Sequence, residues 1–302
     1  MSTSSSAVDL APALVRDVNE SWRRLQRYLD TGEPRSVTGA RARVLADRLW
    51  RRVVEHPDGA RPEPDPRVAA ALAALCWFRH QTTSGADPTD LNRSLPLFRQ
   101  LASFGNPKLV LSGPLAYLAE EDAENELSAQ LNRTALRLLS NGSDDARARQ
   151  EAVAVLRQAV EHAVPCGVTH ARVLTNLAGA LLARYRVDGA PDGVREAVET
   201  ARRAVDIECA FGIDRAAVLA NYAMILVSAA EVPGLIDDTA LRSAVVHARG
   251  AVLSLRPAEP SRAAYEVTLV SVARSVFERT GRWSDLEAAL DLADEHRPLR
   301  RR

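Results

Sequence analysis

His162, Cys166 and His170 stand at every fourth position, the spacing at which three side chains of one helix could close on a transition metal. Pro165 and Gly167 lie among them, and each tends to end a helix, so the three positions read instead as part of a connection with Cys166 tucked inward. The acidic run EEDAENE, Glu120 to Glu126, offers carboxylates to a cation or a basic partner. Acids placed before and within the first turn of a helix also complement its dipole, and that structural reading is preferred. RPLRRR, Arg297 to Arg302, has the chemistry of a nucleic-acid or lipid contact and reads as a solvated tail behind a last helix. Asp144-Asp145 and Asp237-Asp238 read as helix caps. Of the four tryptophans, Trp22, Trp50, Trp77 and Trp283, the second and third sit inside apolar helical runs and are expected in the core.

The chain contains none of the local patterns G-x-x-x-x-G-K-[ST], G-x-G-x-x-G, H-E-x-x-H, G-x-S-x-G or C-x-x-C. The expectation is a protein with no catalytic residues, no metal site and no cofactor. The alternative is an enzyme on a helical scaffold with a pocket near residues 106–120, since sites built from distant residues leave no local signature.

What positions such residues follows from composition. The 302 residues are 46% hydrophobic and only 5% aromatic, so the core is filled mainly by Ala, Leu and Val, the filling of closely spaced helices. Lys plus Arg and Asp plus Glu number 39 each, and a net charge of zero gives no global field toward nucleic acid or an anionic membrane. Only Lys108 is a lysine among the basic residues, a bias that with the abundant Ala and Val suggests a GC-rich bacterial genome. The start MSTSSSAVDL lacks a signal-peptide pattern, and no stretch approaches the roughly 20 apolar residues of a membrane span, so a cytoplasmic location is expected. Three scattered cysteines, Cys76, Cys166 and Cys209, fit a reducing compartment and read as small buried hydrophobes.

The sequence repeats itself. RVLTNLAGALLARYRVDG from Arg172 returns as AVLANYAMILVSAAEVPG from Ala217, with Asn176 on Asn221 at an offset of 45. The following helix repeats as Ala152, Leu156, Ala159, then Ala197, Ala201, Ala204, then Ala244, Ala248, Ala251. Residues at i, i+4 and i+7 form one stripe, and small side chains there let a neighbouring helix approach. A fourth copy, Ala289, Ala293 and His296, ends in a polar residue, as a terminal unit facing water should. Turns with a Gly in or near a T/D-G step separate the paired helices at Tyr28, Gln81, Arg186 and Glu278.

These residues predict an all-α protein, an α-solenoid of about six antiparallel helical hairpins. The N-L-A step at Asn176 to Ala178, followed by Ala197, Ala201 and Ala204, resembles the tetratricopeptide repeat in a lengthened variety similar to actinobacterial arrays found in chains with CHAT protease domains. The resemblance implies a TPR-like superhelix that docks a protein or peptide partner, with neither nucleic acid nor membrane as its target. It also implies that the first helix of each unit lines a concave groove, which makes Gln130, Arg137, Arg172, Thr175 and Arg274 the expected peptide contacts. Arginines there suit an acidic or C-terminal peptide. Gly179 and Met224 replace the family's carboxylate-clamping asparagine, so binding of chaperone tails is not expected.

The expected organisation is a disordered start (1–7), degenerate hairpins over 8–104 with a Pro-rich linker at 56–66, and a nonrepeating insertion or junction at 105–120. The repeat array proper follows at 121–296, and a basic tail at 297–302.

Overall fold

The computed structural model describes residues 10–55, 58–83, 88–103, 112–141, 145–165, 167–207 and 211–294. Among them are fourteen helices: α1 (Pro12–Thr31), α2 (Arg35–Thr38), α3 (Ala40–Val54), α4 (Pro66–Thr82), α5 (Pro88–Ser103), α6 (Ser112–Glu124), α7 (Glu126–Asn141), α8 (Ala146–Glu161), α9 (Val168–Asp188), α10 (Pro191–Asp206), α11 (Gly212–Ala229), α12 (Asp238–Leu253), α13 (Arg262–Thr280) and α14 (Trp283–Asp294). No strand occurs among the described residues, and the helices pack in sequence against their chain neighbours, an all-α, solenoid-like arrangement. The chain divides into two compact units, Met1–Val53 with Pro64–Leu118, and Val54–Glu63 with Ala119–Arg302.

In the first unit α4 is the central helix, because VAAALAALCW leaves it apolar all round. Asp65 caps its start by accepting the Arg67 N–H at 2.8 Å, with Pro66 in the first turn, where its missing N–H costs nothing. α1, α2 and α5 pack against it. Arg79 of α4 is buried with Asp90 of α5: its Nε donates to both carboxylate oxygens at 3.2 and 3.1 Å, and its Nη1 donates to the Val37 carbonyl at 3.1 Å. Trp77 meets Phe98 and Tyr117 edge-on, and both Trp50 and Trp77 are buried, whereas Trp22 and Trp283 are exposed. Cys76 is fully buried, which pushes its thiol pKa up and keeps it protonated. Cys166 and Cys209 lie outside the described residues, as do residues 1–7 and the basic tail.

The second unit alternates first helices (α7, α9, α11, α13) with second helices (α8, α10, α12, α14). The stripes Ala152-Leu156-Ala159, Ala197-Ala201-Ala204 and Ala244-Ala248-Ala251 are each no more than 2% exposed, so all three face the core in the same register. Ala289 is buried in the fourth copy; the side chain of Ala293 and residue His296 lie outside the described residues. First helices also touch one another, α7 with α9, α9 with α11 and α11 with α13, which makes the core continuous along the array. By length and composition α11 could cross a membrane, but 61% of it is buried inside the protein, as its place between α9, α12 and α13 requires.

The turns repeat as well. α9 and α13 end on Gly189 and Gly281 at φ of 67° and 68°, each N–H returning to the aromatic residue four places earlier, Tyr185 or Phe277, at 2.8 Å. Only glycine occupies that left-handed cap without cost. α8 and α12 start from Asp145 and Asp237, which accept the N–H groups of Arg147 and Ala240 at 2.8 and 2.7 Å. Asp144 lies outside the described residues.

Candidate peptide-docking site

The expected contact residues stand on first helices, as the repeat implies, but do not form one patch of similar character. Gln130 and Arg137 are exposed on α7. Arg172 is exposed on α9 and pairs with Asp214 of α11 at 3.1 Å; Arg274 is exposed on α13 and lies 3.5 Å from Glu278. Thr175 is buried, and its hydroxyl donates to the Ala171 carbonyl at 2.8 Å, so its polar atom serves its own helix. Between first helices the Asn176 amide donates to Asn132 Oδ1 at 2.8 Å, with Asn221 one unit further on.

The most developed polar constellation is elsewhere in the second unit. Residues 58–63, D-G-A-R-P-E, run without helix across the ends of α10, α11 and α12, forming a strap over that edge of the array. The Gly212 N–H donates to the Arg61 carbonyl at 2.9 Å, and the Arg61 N–H donates to Ser254 Oγ at 3.1 Å. Ser254 in turn donates to the Gly250 carbonyl at 2.8 Å. Arg61 Nη1 reaches the Ile207 carbonyl at 2.8 Å, and Arg215 Nε donates to the Gly59 carbonyl at 3.0 Å. Ion pairs close both ends: Asp58 with Arg249 at 3.5 Å, and Glu63 with Arg256. Ala60 is 0% exposed, and Gly59 turns at a φ of 66°.

Repeat positions explain why this edge fits a strap. Arg215, 3% exposed, also donates from Nη1 to the Val205 carbonyl at 2.7 Å, capping the end of α10. One unit later Arg262 does the same for α12, donating to Val252 and Leu255 carbonyls at 3.0 and 2.9 Å. Its Nε pairs with Glu266 at 3.0 Å, whereas Nε of Arg215 turns to the strap. The corresponding positions one and two units earlier are His170 and Asn125. Burial and the nearby Arg203 hold His170 below its usual pKa, and Asn125 Oδ1 accepts the Val164 N–H at 3.0 Å. His162 ends α8 and His170 stands in the first turn of α9, so the i, i+4, i+8 spacing does not put them on one helix; Cys166 between them lies outside the described residues.

An open cleft of about 510 Å³ separates α8 from α10, lined by Arg157, Leu177, Glu196, Glu199, Thr200 and Arg203. Its charges largely satisfy one another: Arg157 Nη2 bonds both oxygens of Glu196 at 2.7 Å, and the hydrogen bond from Arg202 lowers the pKa of Glu199. One unit on, Leu177, Thr200 and Arg203 correspond to Tyr222, His247 and Gly250. The Tyr222 and His247 rings lie 4.9 Å apart there, and burial first, then the Arg215 charge, lowers the His247 pKa to about 4. The carbonyl of Asp58 rests on Gly250, where the preceding unit has an arginine.

Between α3 and α4 the described residues 58–65 form no helix, and the sequence reading of 56–66 as a linker did not include a seat on the array. The available signals were a glycine interrupting the α12 stripe and arginines recurring at Arg215 and Arg262. Residues 106–111, part of the alternative enzyme pocket, lie outside the described residues, and α6 begins at Ser112. No protein-family model, no curated protein and no solved structure matches the chain.

Proposed function

We propose that this chain is a non-catalytic protein- or peptide-binding scaffold, a TPR-like array of the long-unit type that serves in the bacterial cytosol as the partner or arm of a CHAT-type effector. The observation that supports this reading is the strap: the array presents the Ser254 hydroxyl, the Arg215 guanidinium and the Gly212 amide, which together hold a non-helical backbone by hydrogen bonds. The α8–α10 cleft is open, and in it Arg157 pairs with Glu196, Arg195 with Asp192 and Glu199 with the neighbouring Arg202. Arg137, Arg172 and Arg274 on the first helices then receive an acidic partner segment.

The test is selection of peptides from a displayed random library on the purified chain, followed by binding to the triple variant R137E/R172E/R274E. Acidic peptides should be enriched and should lose at least tenfold in affinity on the variant. Enrichment of no peptide, or full retention of acidic-peptide binding by the variant, would overturn the assignment of these residues.

A further inference from the structure

The seat beneath the strap is built by the array, which holds both main-chain atoms and side chains of residues 58–63. Ser254, Gly212 and Arg215 contact main-chain atoms of residues 59–61, which turn at Gly59 with a φ of 66°. The methyl of Ala60 is enclosed, so the pocket admits a small residue there and rejects a large one, and the half-buried Arg61 reaches the Ile207 carbonyl through Nη1 at 2.8 Å. Arg249 and Arg256, both substantially exposed, select acids at the two ends. Gly250 sits inside a helix, where glycine is unfavourable, and among the contacts a side chain there would meet, the tightest is the Asp58 carbonyl. One unit earlier the same positions carry Arg203 for Gly250 and Ile207 for Ser254, so that step does not repeat the seat.

We propose that the edge formed by the ends of α10, α11 and α12 is a docking site for a non-helical partner segment of the pattern acid–Gly–Ala–Arg–x–acid, and that the strap is its resident occupant in the free chain. The inference rests on the scaffold reading but uses a different surface from the arginines of the first helices. Exchange is feasible because the hold consists of one buried methyl, main-chain hydrogen bonds, one side-chain hydrogen bond from Arg61 and ion pairs whose arginines are open to solvent and salt. As a tethered competitor the strap has a high effective concentration, so a free peptide binds weakly until the strap is disabled.

The probe is a fluorescent peptide, acetyl-HPDGARPEPD-amide. Three full-length chains are compared by anisotropy: the unaltered protein, a strap variant (D58R/A60W/E63R) and the strap variant carrying G250R in addition. The strap variant should bind at least tenfold more tightly than the unaltered chain, with affinity falling as salt rises, and G250R should abolish the binding. A strap variant that retains its helical circular dichroism yet binds no better than the unaltered chain would overturn the proposal, making the strap a fixed part of the fold. If that variant fails to fold, hydrogen exchange on the unaltered chain decides: millimolar peptide should accelerate exchange of the Arg61 amide severalfold, and an unchanged rate overturns the proposal. Because Arg137, Arg172 and Arg274 lie outside the seat, loss of the scaffold assignment at those residues leaves these outcomes independent.

Discussion

The carbonyl oxygen of Asp58 lies so close to the α-carbon of Gly250 that a methyl group on that carbon would overlap it. Two residues far apart in sequence therefore constrain each other: the strap needs a residue without a side chain, and the helix accepts one at a propensity cost of about 1 kcal/mol.

Replacing Gly250 with alanine separates these two effects. The helix gains up to about 1 kcal/mol from propensity while the strap loses its seat. Hydrogen exchange at the Arg61 and Gly212 amides should accelerate at least tenfold, with global stability to urea nearly unchanged or slightly raised. Unchanged exchange at both amides would show that the seat tolerates the methyl.

Arg215→Met and Arg262→Met test the repeated arginine cap. Each removes a buried guanidinium whose carbonyl partners then lose their donor, at a cost of about 2 to 3 kcal/mol by denaturant unfolding. Only Arg215→Met should also release the strap, because only Arg215 has an arm on Gly59.

In the first unit, Asp90→Ala leaves the Arg79 guanidinium buried without its carboxylate and should cost about 3 to 5 kcal/mol. The double replacement R79M/D90L, which removes both charges, should recover most of that loss. Additive losses in the cycle would argue that the pair does not act as a unit.

The arrangement around His247 makes stability depend on pH. Its folded pKa of about 4 lies below the ordinary 6.5, so the unfolded chain binds a proton that the folded chain does not. Stability is therefore lost as pH falls from about 6.5 to about 4, by on the order of 3 kcal/mol. In His247→Phe this component of the acid slope should vanish; an identical slope between pH 7 and pH 4 would mean that His247 is not its source.

Much of the array was legible because its signal is periodic. Ala152, Ala197 and Ala244 recur in register, and each occupies the same buried environment, since a helix stripe repeated at a fixed interval can satisfy itself only against its neighbours. Asp145 and Asp237 were readable as caps for a similar reason: the partner of each is only two or three residues away. The strap was not legible. Its partners stand 146 to 193 residues along the chain, and D-G-A-R-P-E carries the same turn-forming residues as an unattached connection. Thr175 illustrates a finer limit, since spacing puts it on the expected helix while the side chain turns its hydroxyl to Ala171.

The bond from the Arg61 amide to Ser254 spans 193 residues, which sets an order of events during synthesis. At about 5 to 20 residues per second, roughly 10 to 40 s pass between the making of Arg61 and the making of Ser254. Until Ile207, Gly212 and Arg215 are made residues 58–63 have no partner on the array, and until Ser254 is made their seat is incomplete, while hairpins whose partners are local close as they leave the ribosome. The final fastening of the strap thus waits for the end of α12, and a chain stalled before α12 would carry this stretch held at Ile207, Gly212 and Arg215 alone, more open to any chaperone or protease nearby.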